Sequence, residues 1–269
     1  MPVTQRQIEA WLREDLGHHD VTNEVPGETT GRLVTKTDGI VAGLNATTAV
    51  FEYLGVDVET TVSDGDRIEA GETVLRVEGK AKDVLRAERV AVNITGHASG
   101  IATQTHEAVN AAREVSESVE IAGTRKTTPG LRGIEKRAVV AGGGDSHRLD
   151  LSHMVMVKDN HVEEMGLEHA VEHFRERVSF ATKVEVEVEQ PEDGRFAAEA
   201  GADIVLFDNL SPAEVERGVE LLPEDTLAEA SGGITIADVP DYAATGVDVI
   251  SMGSLTHSAP SLDFSFRTG

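Results

Sequence analysis

The chain contains no cysteine. That excludes disulfides, thiolate metal sites and thiol nucleophiles together. It is also poor in aromatics, with seven Phe, two Tyr and one Trp among 269 residues, although 39% hydrophobic residues are enough to fill a core. No apolar run approaches the roughly 18 to 20 residues that span a bilayer. The N-terminus lacks the basic-then-apolar pattern of a secretory signal, so a soluble, cytoplasmic protein is expected. Lysine is scarce as well, with 7 Lys against 17 Arg.

Acid is abundant. The 48 Asp and Glu outnumber 24 Lys and Arg, for a formal charge of −24. Such a surface repels phosphate backbones and anionic membranes, which argues against nucleic-acid and membrane partners. An acidic, lysine-poor balance suits a surface kept hydrated at high salt, as in a halophilic organism. Residues 125–158 reverse the sign: Arg125, Lys126, Arg132, Lys136, Arg137, Arg148 and Lys158 stand against Glu135, Asp145 and Asp150, a local net of +4. Cations concentrated in an acidic chain point to a site that attracts anionic substrates. A salt-bridged basic helix would have the same composition.

The pattern of the chain changes near residue 105. Before it, Ile8 to Leu16 reads as an amphipathic helix, and glycines spaced between β-rich runs over 60–77 predict tight hairpins. These hairpins carry no lysine at a tip, which argues against a lipoyl- or biotin-carrier module. Residues 83–117 read as mainly helical, with Gly96 and Gly100 marking a break or close packing. From 119 onward strands are predicted at 119–122, 153–157, 183–189, 203–207, 226–230 and 247–251, with helices at 162–178, 192–200, 212–222 and 236–244. Repeated strand–helix units of this length indicate a parallel sheet with right-handed crossovers. No Gly-x-Gly-x-x-Gly turn follows the first strand, so an incomplete β/α barrel is favoured over a dinucleotide-binding sheet.

The polar residues fall where a barrel builds its active site. Lys158, Asp208, Ser231-Gly232-Gly233 and Met252-Gly253-Ser254 each sit at the C-terminal end of a predicted strand. Strict alternation over Lys183–Glu189 puts Glu185, Glu187 and Glu189 on one face, turned to the interior of a barrel or to solvent on an edge strand. The two glycine turns offer backbone N–H groups to a phosphate. Thr124, Arg125 and Lys126 combine hydroxyl, planar and point-charge donors for carboxylates or phosphates. His147 and Arg148 follow a glycine hinge at 142–144 and are candidate substrate contacts.

Motifs running through most of the chain resemble the quinolinate phosphoribosyltransferase family. They include Glu88-Arg89, Thr124-Arg-Lys-Thr-Thr-Pro-Gly-Leu-Arg132, Gly142-Gly-Gly144 with His147-Arg148, Lys158-Asp-Asn-His161, Glu185-Val-Glu187, Asp208-Asn209, Glu229-Ala-Ser-Gly-Gly-Ile234 and Gly253-Ser-Leu-Thr-His257. The resemblance implies an N-terminal open-faced α/β sandwich over 1–105, with 256–269 packed back on it, and an incomplete β/α, TIM-like barrel over 106–255. It implies transfer of phosphoribose from 5-phosphoribosyl 1-diphosphate to quinolinate with decarboxylation, in the presence of Mg²⁺, in de novo NAD synthesis. It also implies a homodimer, or a larger assembly, whose active site is shared across the interface.

Carried onto this chain, the resemblance gives Arg125, His147, Arg148 and Lys158 the carboxylates of quinolinate, with Arg89 supplied by the partner subunit. Lys126 lies near the diphosphate. Glu187 and Asp208 bind ribose hydroxyls or Mg²⁺, directly or through water. Ser231 to Gly233, Met252 to Ser254 and His257 take phosphate. The local +4 predicts a dense cationic pocket. Gly123 departs from the family, which often has an acidic residue there, and His18-His19 replaces a glycine-rich stretch and reads as solvated. Two other readings stand beside this one: a non-decarboxylating enzyme acting on nicotinate, and a non-catalytic phosphate-ligand-binding protein.

Overall fold

The computed structural model describes residues 3–269, and the contacts divide them into two compact units. The first runs to His106 and also takes 127–143 and 258–269; the second comprises 107–126 and 144–257.

In the first unit the chain runs through α1 (Gln5–Leu16), β1 (Glu28–Thr35), β2 (Gly39–Ile40), α2 (Leu44–Tyr53), β3 (Asp57–Thr60), β4 (Arg67–Ile68) and β5 (Thr73–Lys80). It then enters the long α3 (Ala81–Arg113), which continues past the unit boundary. Thr4 caps α1 reciprocally with Gln7, so both orphan donors at the start of that helix are satisfied. A four-stranded antiparallel sheet forms in the order β12–β1–β5–β3, where β12 is Phe264–Thr268, and Gly31 pairs with both Thr268 and Val77. The C-terminal segment therefore packs in the first unit as a strand. Leu33, Phe51, Ile68, Leu75 and Ile101 are fully buried there.

The helix α3 is unbroken at its two interior glycines, which are sites of close approach. A Cβ at Gly100 would stand 2.0 Å from the Pro260 carbonyl oxygen, and one at Gly96 would stand 2.9 Å from that of Leu262.

The sequence places 127–143 in the barrel, but α4 (Arg132–Ala141) belongs to the first unit. Its apolar residues Ile134, Ala138 and Val139 join the first core, and a Cβ at Gly142 would lie 2.3 Å from the Ala102 carbonyl oxygen. This divides the basic stretch. Arg132, Lys136 and Arg137 lie in the first unit, whereas Arg125, Lys126, Arg148 and Lys158 lie in the second.

The second unit holds β6 (Glu120–Ala122), β7 (Val155–Val157), α5 (Asp159–Met165), α6 (Leu167–Arg175), β8 (Val184–Val188) and α7 (Pro191–Glu199). It continues with β9 (Ile204–Asp208), α8 (Pro212–Val219), β10 (Leu227–Ser231), α9 (Val239–Ala243), β11 (Val249–Ser251) and α10 (Ser254–His257). Its six-stranded parallel sheet is ordered β6–β11–β10–β9–β8–β7, and no ladder joins β6 to β7 among the described residues. The barrel is incomplete on that side, where a single bridge sets Asp145 beside Ala122. The helix predicted at 162–178 is two, because Gly166 adopts φ 77° between α5 and α6.

On the outer sheet face Val184, Val186, Val205, Phe207, Ala228, Ala230 and Ile250 form the second core. Gly194 and Gly218 let α7 and α8 close on Phe207; a Cβ at Gly218 would meet its ring at 2.5 Å. Alternate residues then point inward, so Glu185, Glu187, Leu206, Asp208, Glu229 and Ser231 share the interior face. No helix among the described residues is long and apolar enough to cross a membrane.

Candidate active site

The inward residues of the second unit surround a cavity of about 340 Å³. Its lining includes Thr124, Arg125, Lys126, His147, Arg148, Lys158, Glu187, Asp208 and Ser231, nine of the sequence-predicted residues. All but His147 and Arg148, which lie in the loop between α4 and β7, arrive at a strand end or in the loop beyond it. Lys158 directly follows β7 and donates its backbone N–H to His161 Nδ1 at 2.9 Å, which anchors the start of α5. Its Nζ pairs with Glu187 Oε2. The carboxylates of β8 thus face inward, and the solvated-edge alternative fails: Glu185 is fully buried and Glu187 lines the cavity, while only Glu189, past the strand end, is exposed.

The two predicted phosphate turns differ in how they are built. Gly232 and Gly233 adopt φ 100° and 64°, which side chains rarely tolerate. A Cβ at Gly232 would strike Asn209 Oδ1 at 2.4 Å. Asn209, itself at φ 57°, donates its backbone N–H to the Ser231 carbonyl and its side-chain amide to Asp208 Oδ2 at 2.6 Å. Asp208 is therefore oriented by its neighbour. Gly253 lies against the first loop, since a Cβ there would approach Lys126 Cδ at 2.8 Å and both Thr124 Oγ1 and His257 at 3.3 Å. Thr256 Oγ1 donates to the Lys126 carbonyl at 2.7 Å, and Lys126 N–H donates to Thr124 Oγ1 at 3.1 Å. Lys126, Gly253 and His257 are consequently neighbours.

Met252 is a correction. Its N–H is already donated to the Ala122 carbonyl, and its side chain is buried in the second core, so it offers nothing to a phosphate. Arg89 is exposed on α3 in the first unit.

Sequence reasoning put Glu185 on the inner face without giving it a role and missed Glu229 in the floor of the cavity. Glu229, two residues before Ser231 on β10, accepts from His147 Nε2 at 3.0 Å, and Glu185 Oε1 lies 3.8 Å from the same nitrogen. Alternation carries the signal for both, since Glu185 shares its face with Glu187, and Glu229 with Ser231. Neither oxygen of Glu185 has a hydrogen-bond partner among the described residues, and Glu229 Oε1 and Arg148 Nε have none either. Burial, then the charge of Glu229, pushes Glu185 up to about 8 against the pull of His147, Arg148 and Lys158. Burial lowers Arg148, while Glu185 supports its charged form.

The pocket is consequently mixed rather than densely cationic. Arg125, Lys126, Arg148 and Lys158 face Glu187, Asp208 and Glu229, with Glu185 beneath. The +4 counted over 125–158 omits carboxylates that later strands deliver. A cavity with paired charges of both signs can hold an anion on one side and ribose hydroxyls or a cation on the other.

Family models for the quinolinate phosphoribosyl transferase N-terminal and C-terminal domains match residues 20–99 and 101–267. The chain is 44% identical over 270 residues to the probable nicotinate-nucleotide pyrophosphorylase (carboxylating) of Methanothermobacter thermautotrophicus, covering 97% of each chain. It is 41% identical to the human nicotinate-nucleotide pyrophosphorylase (carboxylating), covering 97% of this chain and 90% of that one. The crystal structure of nicotinate-nucleotide pyrophosphorylase from Ehrlichia chaffeensis superposes with a TM-score of 0.93 at 31% identity, over all of both chains. With both domain models matched in order along one α/β chain, the protein belongs to the quinolinate phosphoribosyl transferase family.

Proposed function

We propose that this enzyme transfers the phosphoribosyl group of 5-phosphoribosyl 1-diphosphate to quinolinate, yielding nicotinate mononucleotide, diphosphate and carbon dioxide for NAD synthesis. The observation that carries the reading to residues is the single cavity lined by Arg125, Lys126, His147, Arg148 and Lys158 together with Glu187 and Asp208.

In this reading Arg125, His147, Arg148 and Lys158 hold the two carboxylates of quinolinate, and Arg89 of a partner subunit closes the site in a homodimer. Lys126 receives the diphosphate. The turns at Ser231–Gly233 and Gly253–Ser254, with His257 beside the second, receive the phosphate. The pyridine nitrogen bonds to C1 of the ribose while the C1–O bond breaks and its electron pair leaves on diphosphate. Positive charge that develops on the ribose is stabilised by the nearby carboxylates of Glu187 and Asp208. The bond to the 2-carboxylate then breaks, carbon dioxide departs, and the electron pair left at C2 beside the cationic nitrogen takes a proton from water. Positioning of the two reactants supplies most of the acceleration.

Glu187 and Asp208, hard oxygen donors on adjacent strands, are the pair that fits Mg²⁺. The ion would neutralise diphosphate charge there. Glu187 is shared with Lys158 and Asp208 with Asn209, so each carboxylate has a partner when the ion is away.

The test is incubation with quinolinate, 5-phosphoribosyl 1-diphosphate and Mg²⁺ at high and low KCl, following nicotinate mononucleotide and carbon dioxide, with nicotinate as a parallel acceptor. Both products from quinolinate alone are expected. Product from nicotinate without carbon dioxide would overturn the reading in favour of a non-decarboxylating enzyme, and binding without product would leave a non-catalytic protein.

A further inference from the structure

The floor of the cavity carries more than packing requires. His147 holds φ 50°, a conformation uncommon among non-glycine residues although His adopts it more often than most, and its backbone N–H is tied to Asp145 Oδ1. Its ring is then committed through Nε2 to Glu229, whose carboxylate is 1% exposed. With the carboxylate as the acceptor, the contact puts a proton on His147 Nε2. Backbone and ring are therefore both fixed from beneath, from β10 and from the turn before Arg148.

We propose that Glu229 is a positioning residue that sets acceptor specificity: by accepting the Nε2 proton it fixes the His147 ring at the cavity wall and favours the doubly protonated ring, whose Nδ1–H is the donor that can meet the acceptor, so that a pyridine with two adjacent carboxylates is preferred over one with a single carboxylate. The inference rests on the reading above that His147 faces the acceptor. Holding a donor in place before the ligand arrives lowers the ordering cost of binding. The benefit falls on an acceptor with a carboxylate to spend on His147. A monocarboxylate anchored by Arg125 and Arg148 gains little from it. Glu185, 3.8 Å from the same nitrogen and without a hydrogen bond of its own, is too far to fix the ring in this way.

The test is a double-mutant cycle in the full-length enzyme with Glu229→Gln, His147→Gln and the double variant, measuring kcat and KM for quinolinate, the inhibition constant of nicotinate as the monocarboxylate, and KM for 5-phosphoribosyl 1-diphosphate; a nicotinate constant that weakens in Glu229→Gln as much as the quinolinate KM would overturn the inference. Glu229→Gln is expected to raise the quinolinate KM about tenfold, with a smaller change in kcat and none in the KM of the second substrate. The double variant is expected to be no worse than His147→Gln alone, because one interaction is removed twice. Glu229→Asp, which keeps the charge on a shorter arm, should recover part of the loss. If Glu229→Gln fails to fold, Glu229→Asp and ¹⁵N spectra of histidine-labelled wild-type enzyme, assigned with His147→Gln, carry the test through the Nε2 proton.

Additive effects of the two substitutions, or a Glu229→Gln variant with unchanged quinolinate KM, would overturn the inference while leaving the function intact. In the spectral arm, Nε2 found unprotonated would do the same. An unchanged quinolinate KM in His147→Gln would instead remove the reading of His147 on which the inference stands.

Discussion

The two units bury charged groups in opposite ways. In the first, the buried polar residues are mostly hydroxyls that serve the fold: Thr47 meets Thr95 at 2.7 Å, Ser99 accepts the Ala42 N–H at 3.0 Å, and Thr105 donates to the Ile101 carbonyl. Even its buried acid is satisfied on both oxygens, since Glu135 takes His97 Nε2 at 2.8 Å and the Thr128 N–H at 3.0 Å. In the second unit Glu185 is fully buried with neither oxygen hydrogen-bonded, and Glu229 and Arg148 each keep a polar atom without a partner. Buried polar groups left unsatisfied cost stability and are rare in folded proteins. Where they cluster around a cavity they mark residues kept for a ligand rather than for the fold.

Activity should break along this line first. Lys126→Ala is expected to lower kcat/KM at least 100-fold, on the scale of losing one charge-stabilising donor, while circular dichroism and the thermal midpoint stay near wild type. A comparable loss of thermal midpoint would show that Lys126 belongs to the fold instead.

The next largest effect belongs to the first unit. Gly100→Ala would push a methyl into the Pro260 carbonyl at 2.0 Å, with Ser261 Cα at 3.0 Å. Backbone cannot rotate away as a side chain can, so the segment carrying β12 must shift. A destabilisation of about 3 kcal/mol in urea is expected. An unchanged midpoint would mean that 258–269 docks more loosely than its pairing with β1 implies.

What the sequence made legible follows from periodicity. Alternation in Lys183–Glu189 put the carboxylates on one face, which the structure turns inward at Glu185 and Glu187, and placing polar residues after strands located Thr124, Arg125, Lys126, Lys158, Asp208 and Ser231, because strand period and strand ends are local properties. Gly96 and Gly100 marked a break or close packing, and their partners at Leu262 and Pro260, far away in sequence, make it close packing. Other features are set by distant partners. Helix α4 carries an apolar face that fits either unit, and only the contacts of Gly142 and Val139 decide between them. Met252 looked like part of a glycine turn, but its N–H is taken by β6. The charge of the pocket misled because a window along the chain cannot count carboxylates delivered by the three later strands β8, β9 and β10.

The sign of a pH effect sharpens the comparison further. The folded pKa of Glu185 is raised to about 8 from an ordinary carboxylate value of 4.5, so the native state holds that proton more tightly than the unfolded chain. Its contribution to stability is complete below pH 4.5 and is lost as pH rises through 8. Glu185→Gln keeps the shape and removes the charge, so the variant should gain stability over wild type as pH rises from 4.5 to 8.5. Denaturant titrations at the two pH values, without substrates, check it. No gain between the two pH values would mean that Arg148 and Lys158 already compensate the carboxylate in full.

The smallest effect tests whether a cavity rather than an ion pair is what matters. Lys36 and Asp263 in the first unit form the same kind of pair as Lys158 and Glu187, at 3.2 Å, but with side chains 50% and 60% exposed. Water and salt screen such a pair, and ordering two mobile side chains opposes it. Asp263→Asn should therefore change stability by no more than about 0.5 kcal/mol, and the difference should vanish in 1 M KCl. Glu187→Gln in the cavity should leave stability similarly unmoved yet reduce turnover more than tenfold, because in the proposed function its carboxylate stabilises the charge that develops on the ribose. If Asp263→Asn proved the more damaging of the two to turnover, the division between a unit built for packing and a unit built around unsatisfied charge would not hold.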